Sequence, residues 1–145
     1  MESHQPCERI LVFDHDQGIL GLLERVLNRE GYEVRTMSSS EGVVSLVSTE
    51  HFDLAIVDVG LRNVNGCKLT KMVRELSPET AVVLMTGYPA EEVIRFAQEH
   101  AQGYLEKPFD LQEFLAIVRG ALHQAPMGGR DVPTECHVIG TDQWR

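Results

Sequence analysis

Five times along this chain a short, β-branched apolar run gives way to a segment whose apolar residues recur every three or four positions. Runs of that length read as buried strands, and the spaced segments read as amphipathic helices that cover them. Strict alternation of the two requires parallel strands joined by right-handed crossovers, with helices on both faces of the sheet. The expected class is α/β, a doubly wound five-stranded parallel sheet with five helices. At 145 residues, 43% of them hydrophobic, the chain has enough material for one such domain and its core.

The first run, ILVFDHD at 10–16, leads into a helix over about 17–30 marked by Ile19, Leu22, Leu23, Val26 and Leu27, with Gly31 where a C-cap would sit. Tyr32–Met37 is the second strand, and Ser38-Ser39-Ser40-Glu41 offers caps for a helix ending near His51. A third strand over 53–58 opens into a loop, Val59–Asn65, that closes on Gly66. Leu69, Met72, Val73 and Leu76 then space out a helix stopped by Ser77-Pro78. The fourth strand is 81–85. Pro89 suits a helix first turn, with Glu91 and Glu92 complementing the dipole and Val93, Ile94, Phe96 and Ala97 facing inward. A fifth strand at about 102–106 precedes a helix capped by Asp110, striped by Leu111, Phe114, Leu115, Val118 and Leu122. The pattern stops at Gln124, so 8–123 is the expected domain and 124–145 a tail or the start of a linker.

Charge and cysteine usage narrow the function. A net charge of −9 and the absence of a long Lys/Arg block argue against direct nucleic-acid binding. Cys7, Cys67 and Cys136 share no metal-like spacing, and Cys136-His137 cannot close a site without partners. No apolar stretch reaches the ~18 residues of a membrane span, and Met1–Glu8 lacks signal-peptide design. The expected compartment is the cytoplasm.

In open parallel sheets, functional groups gather beyond the carboxyl ends of the strands. Four of the runs end on useful chemistry there: ILVFDHD on Asp14, LAIVDVG (54–60) on Asp58, AVVLMTG (81–87) on Thr86 and GYLEKPF (103–109) on Lys107. A carboxylate is a feasible nucleophile toward phosphorus, an ammonium neutralises phosphoryl oxygens, and a hydroxyl donates to another of them. Taken singly, a strand-end Asp is common turn vocabulary and a strand Thr an ordinary β-former. In this order, each at a strand end, the four read as a phosphoryl site.

These segments, with FDLAIVDVGLRNVNG and VVLMTGY between them, resemble the receiver domain of bacterial two-component response regulators over residues 8–123. The resemblance implies a flavodoxin-like sheet of order 2-1-3-4-5 and a phosphorelay signalling domain, an aspartyl phosphoprotein rather than a turnover enzyme. It implies that a histidine kinase or phosphotransfer protein donates to Asp58, with Lys107 and Thr86 binding the phosphoryl group and Thr86 and Tyr104 acting as a switch pair. Lys107-Pro108 resembles the family's cis-proline junction. A homodimer through the helix 4 to helix 5 face is also implied.

The resemblance further implies Mg2+ held by Asp14, Asp58 and the Gly60 carbonyl. Here the sequence departs from the family, because His15 stands where a second acid is usual. Imidazole is a poor ligand for a hard cation, so three outcomes are open: weakened phosphorylation, a shift to Mn2+ or another divalent metal, and a pseudo-receiver that accepts no phosphate. Asp16 can lean toward the metal or cap the first helix. Arg62 replaces a common proline, and Gly60 and Tyr88 fall where side chains tune attack of water on the acyl phosphate. A remoter resemblance of VFDHD, to haloacid-dehalogenase-type phosphatases, would make Asp14 the nucleophile and leave Asp58 unexplained.

Overall fold

The computed structural model describes residues 7–59 and 64–123. Its five parallel strands are β1 (Arg9–Phe13), β2 (Glu33–Met37), β3 (Leu54–Asp58), β4 (Ala81–Thr86) and β5 (Gly103–Glu106), in the order β2-β1-β3-β4-β5. The helices alternating with them are α1 (Gln17–Arg29), α2 (Ser40–Thr49), α3 (Val64–Leu76), α4 (Glu91–His100) and α5 (Leu111–Leu122). The doubly wound class and the 2-1-3-4-5 order are those expected.

Strand periodicity divides the core in two. Leu11, Phe13, Ala55, Val57, Val82, Leu84 and Tyr104 face one way and pack with Val43 and Val47 of α2, Leu69 and Val73 of α3, and Val93 and Ala97 of α4. The alternate residues Ile10, Val12, Leu54, Ile56, Val83, Met85 and Leu105 pack on the other side with Leu20, Leu23 and Leu27 of α1 and Phe114, Ile117 and Val118 of α5. Burial on both faces explains why β1, β3 and β4 read as continuous apolar runs, and the edge position of β2 explains its weaker pattern.

Side-chain caps fix three helix starts. Asp16 Oδ1 accepts from the backbone N–H groups of Gly18 and Ile19, Ser39 Oγ from that of Gly42, and Asp110 Oδ1 from that of Glu113. Each cap is worth about 1 kcal/mol. At the end of α1, Gly31 adopts φ 97°, a left-handed turn that returns the Tyr32 N–H to the Leu27 carbonyl.

Several expectations need correction. Pro89 precedes the α4 N-cap, Ala90, instead of entering the first turn. The helix α3 starts at Val64, before Gly66, so the loop after β3 is shorter than 59–65. Gly66 is already helical and lies against the Val59 backbone, where a Cβ would collide with Val59 Cα. Within α3, Leu69 and Val73 are buried while Met72 and Leu76 are 39% and 47% exposed, because the inward arc is narrower than the apolar spacing implies. The buried face of α5 is Phe114, Ile117, Val118 and Ala121; Leu115 and Leu122 are only partly buried and Leu111 is exposed. Residues 124–145 lie outside the described residues.

Candidate functional site

The order of the strands decides where chemistry collects. The chain leaving β1 enters α1 on one face of the sheet and the chain leaving β3 enters α3 on the other, so a crevice opens between the carboxyl ends of these neighbouring strands. Phe13 and Val57 are register partners, and the next residue on each strand is an aspartate. Asp14 is 1% exposed and Asp58 is 6% exposed, two carboxylates in one largely dehydrated crevice. Lys107, following β5, reaches both: its Nζ is 2.7 Å from Asp14 Oδ2 and 3.2 Å from Asp58 Oδ1. Burial works against the Lys107 charge, but the hydrogen bond to Asp14 and the charges of Asp58 and Asp14 outweigh it, holding the ammonium above the ordinary lysine range. The backbone N–H of Asp16 donates to Asp14 Oδ1 at 2.9 Å, so both oxygens of Asp14 are engaged.

Thr86, fully buried at the end of β4, accepts the Tyr88 N–H on Oγ1 at 3.0 Å. Its carbonyl receives the Lys107 N–H at 2.7 Å, tying the lysine's backbone to the hydroxyl's strand. Lys107-Pro108 is cis. Tyr104 is fully buried in the cluster that includes Val93 and Ala97 of α4. Its phenol is pushed up, chiefly by burial and further by the charge and hydrogen bonding of Glu106.

Residues 10–119 match the family model of the response regulator receiver domain. The chain belongs to that family. This receiver is 36% identical over 118 residues to the DNA-binding transcriptional regulator NtrC of Bradyrhizobium sp. (strain RP501 Parasponia), covering 81% of the chain and 25% of that protein. It is 29% identical over 113 residues to sporulation initiation phosphotransferase F of Bacillus subtilis (strain 168), covering 77% of the chain and 91% of that protein. The receiver spans about a quarter of the length of the NtrC relatives it matches. Among solved structures it superposes on a CheY-like receiver domain from Methanospirillum hungatei JF-1 with a TM-score of 0.76 at 29% identity, covering 81% of this chain and 94% of that one. A Burkholderia pseudomallei response regulator with a phosphorylated aspartic acid, a calcium ion and citrate gives a TM-score of 0.74 at 27% identity, covering 93% and 72%.

The remaining site residues of the receiver fall in different places. His15 is exposed, with its ring edge-on to Phe13 at 5.2 Å. Tyr88 is 56% exposed. Gly60 and Arg62 lie outside the described residues. Asp16 Oδ1 caps α1, one of its two expected roles. The two buried carboxylates fit a hydrated magnesium ion, which keeps several waters and takes one or two carboxylates beside phosphate oxygens. No helix among the described residues is long and apolar enough to cross a membrane.

Two contributors escaped sequence reasoning. Glu106 acts on Tyr104 across one face of β5, a relationship that only period-2 geometry after the strand assignment could have flagged. Gly66 brings the first turn of α3 against Val59, next to Asp58. Its sequence signal was a glycine closing the loop, read as punctuation instead of as close approach.

Proposed function

We propose that this receiver accepts a phosphoryl group on Asp58 from a histidine kinase or phosphotransfer protein and responds by changing the surface of α4, β5 and α5. The observation that carries the reading is the bridging of buried Asp14 and Asp58 by one lysine at the β1–β3 crevice. An Asp58 oxygen attacks the phosphorus in line, the bond to the donor atom breaks, and the donor leaves with its electron pair. Lys107 stays with the crevice's charge, exchanging its contact with Asp58 for a phosphoryl oxygen. Asp14, Asp58 and the Gly60 carbonyl would hold Mg2+, or Mn2+, whose charge neutralises the phosphoryl oxygens when it is bound. With His15 in place of an acid the metal site is weaker than the family norm.

Thr86 then releases the Tyr88 N–H that its Oγ1 accepts and turns its hydroxyl to donate to a phosphoryl oxygen, and the change passes to Tyr104 beneath α4. Gly60 offers no side chain to position water and Tyr88 shields the site, so the acyl phosphate lasts longer than in relatives carrying a polar residue at those two places. The donor docks beside Lys107, where Ile19, Leu22 and Leu23 of α1 and Pro108 and Phe109 line an apolar cleft of 410 Å3. The domain unit is 8–123, the setting cytoplasmic, and a homodimer forms through the α4 to α5 face. The phosphatase reading is disfavoured by Asp16, whose Oδ1 is committed to the α1 cap instead of to acid–base work beside Asp14.

The test is intact-mass spectrometry after incubation with phosphoramidate and Mg2+ or Mn2+. One added phosphoryl group on wild type, absent from Asp58→Asn and slower to appear on Asp14→Asn, supports the reading. Loss of the adduct in Asp14→Asn alone, with turnover in wild type, supports the phosphatase, and no adduct with either metal means a pseudo-receiver.

A further inference from the structure

The chain is acidic overall, with a net charge of −9, yet one face of α3 carries Lys68, Lys71 and Arg74 at three-residue intervals. Two of these, Lys71 and Arg74, line a groove of 330 Å3 between α3 and α4 whose other walls are Glu75 and the last residue of α4, His100. Neither Lys71 nor Arg74 makes an ion pair among the described residues. Behind the groove, the Phe96 ring lies 4.4 Å from that of His100, and Lys71 Nζ sits 6.0 Å from the Phe96 centroid.

We propose that this groove is an anion site for a phosphate-class ligand, its oxygens shared between Lys71 and Arg74, with the His100 ring as the third contact from α4. Two cations close enough to converge on one cavity repel each other until an anion joins them, and an Arg fork beside a Lys point charge is a suitable pair for phosphate oxygens. Glu75 sets a limit: it tolerates a ligand held at the Lys71–Arg74 side and repels one lying across the whole groove. The site shares no residue with the Asp14–Asp58–Lys107 crevice.

The surroundings of His100 make the proposal readable. Burial lowers its proton affinity, Lys71 and Arg74 lower it further, and Glu99, the nearest carboxylate at 3.8 Å, opposes them. Glu75 is the acid facing it from α3. An anion that neutralises Lys71 and Arg74 removes the repulsion, so His100 takes up a proton more readily when the site is filled. By reciprocity the ligand binds more tightly as pH falls through the His100 titration.

The experiment is NMR of the full chain, following the His100 ring and backbone amides while inorganic pyrophosphate is added against sodium chloride of matched ionic strength, without divalent metal. The expected result is saturable shifts centred on Lys71, Arg74 and His100, a raised His100 titration point, and affinity about tenfold weaker in Arg74→Gln, the loss of one charge-assisted hydrogen bond. The amide spectrum and thermal midpoint of that variant check that it folds. Shifts that sodium chloride reproduces, or saturable binding left unchanged by both Lys71→Gln and Arg74→Gln, would overturn the proposal.

Discussion

Lys107 Nζ and Asp14 Oδ2, from residues 93 apart in sequence, are 2.7 Å apart at the floor of the β1–β3 crevice. The contact ties the end of β5 to the end of β1 across the two intervening strands. Lysine here bridges two acids with its single charge, and its removal leaves both carboxylates in a dehydrated place without that charge beside them.

Lys107→Met is therefore expected to destabilise the fold at pH 7 by about 1–3 kcal/mol, the cost of leaving buried charged groups without a partner. The ammonium is held above its ordinary value of 10.5, so its contribution is fully present below that value and disappears as pH rises through the folded one. Urea denaturation of wild type and variant checks this: the stability difference should hold steady from neutral pH and shrink only in alkali.

Glu106→Gln removes a charge that helps keep the Tyr104 phenol protonated. Burial is the larger cause and remains, so the phenol should titrate at lower pH than in wild type while staying above the usual tyrosine value of 10.0. Phenolate absorbance during an alkaline titration, taken as the difference between the two proteins, reads the shift.

Glycines 66 and 42 separate two kinds of crowding. A Cβ at Gly66 meets the Val59 backbone, whereas one at Gly42 meets the flexible end of Met37 at 2.5 Å. Gly66→Ala is expected to cost about 1–3 kcal/mol, as overpacking against rigid neighbours does, and Gly42→Ala distinctly less. Thermal unfolding ranks them. Gly66→Ala should also slow phosphorylation, since it displaces the segment next to Asp58.

His15→Asp restores the missing acid. If the donor set limits metal affinity, half-maximal Mg2+ for phosphorylation should fall by about tenfold, the scale on which groups supporting a metal act. A magnesium titration of phosphoramidate labelling measures it, and equal curves for the two proteins would mean His15 is no handicap.

Much of this architecture was legible in the sequence because its signals are local. Asp16, Ser39 and Asp110 announce helix starts through their own backbone hydrogen bonds, and Gly31 announces a helix end through its left-handed turn. The strand ends bearing Asp14, Asp58, Thr86 and Lys107 followed from period and punctuation. What stayed hidden depends on rotation and on contacts between distant elements. Met72 and Leu76 are apolar at helical spacing yet point outward, and Ile117 and Ala121 took the buried places expected of Leu115 and Leu122, because a helix's facing is set by its neighbours as well as by its own residues. Arg9 clamps the α2–β3 connection through Glu50 and the His51 carbonyl while its guanidinium lies over Phe52, an arrangement with no short-range signal. The Lys71–His100 groove joins two helices in the same way.

The central claim is that Asp58 carries the phosphoryl group, and borohydride trapping tests it most directly. After treatment with phosphoramidate and Mg2+, sodium borohydride reduces an aspartyl phosphate to an alcohol, leaving homoserine at the acceptor position for peptide mapping. Homoserine at position 58 and nowhere else is the predicted result. Homoserine at position 14, or none in protein that remains folded, would contradict it.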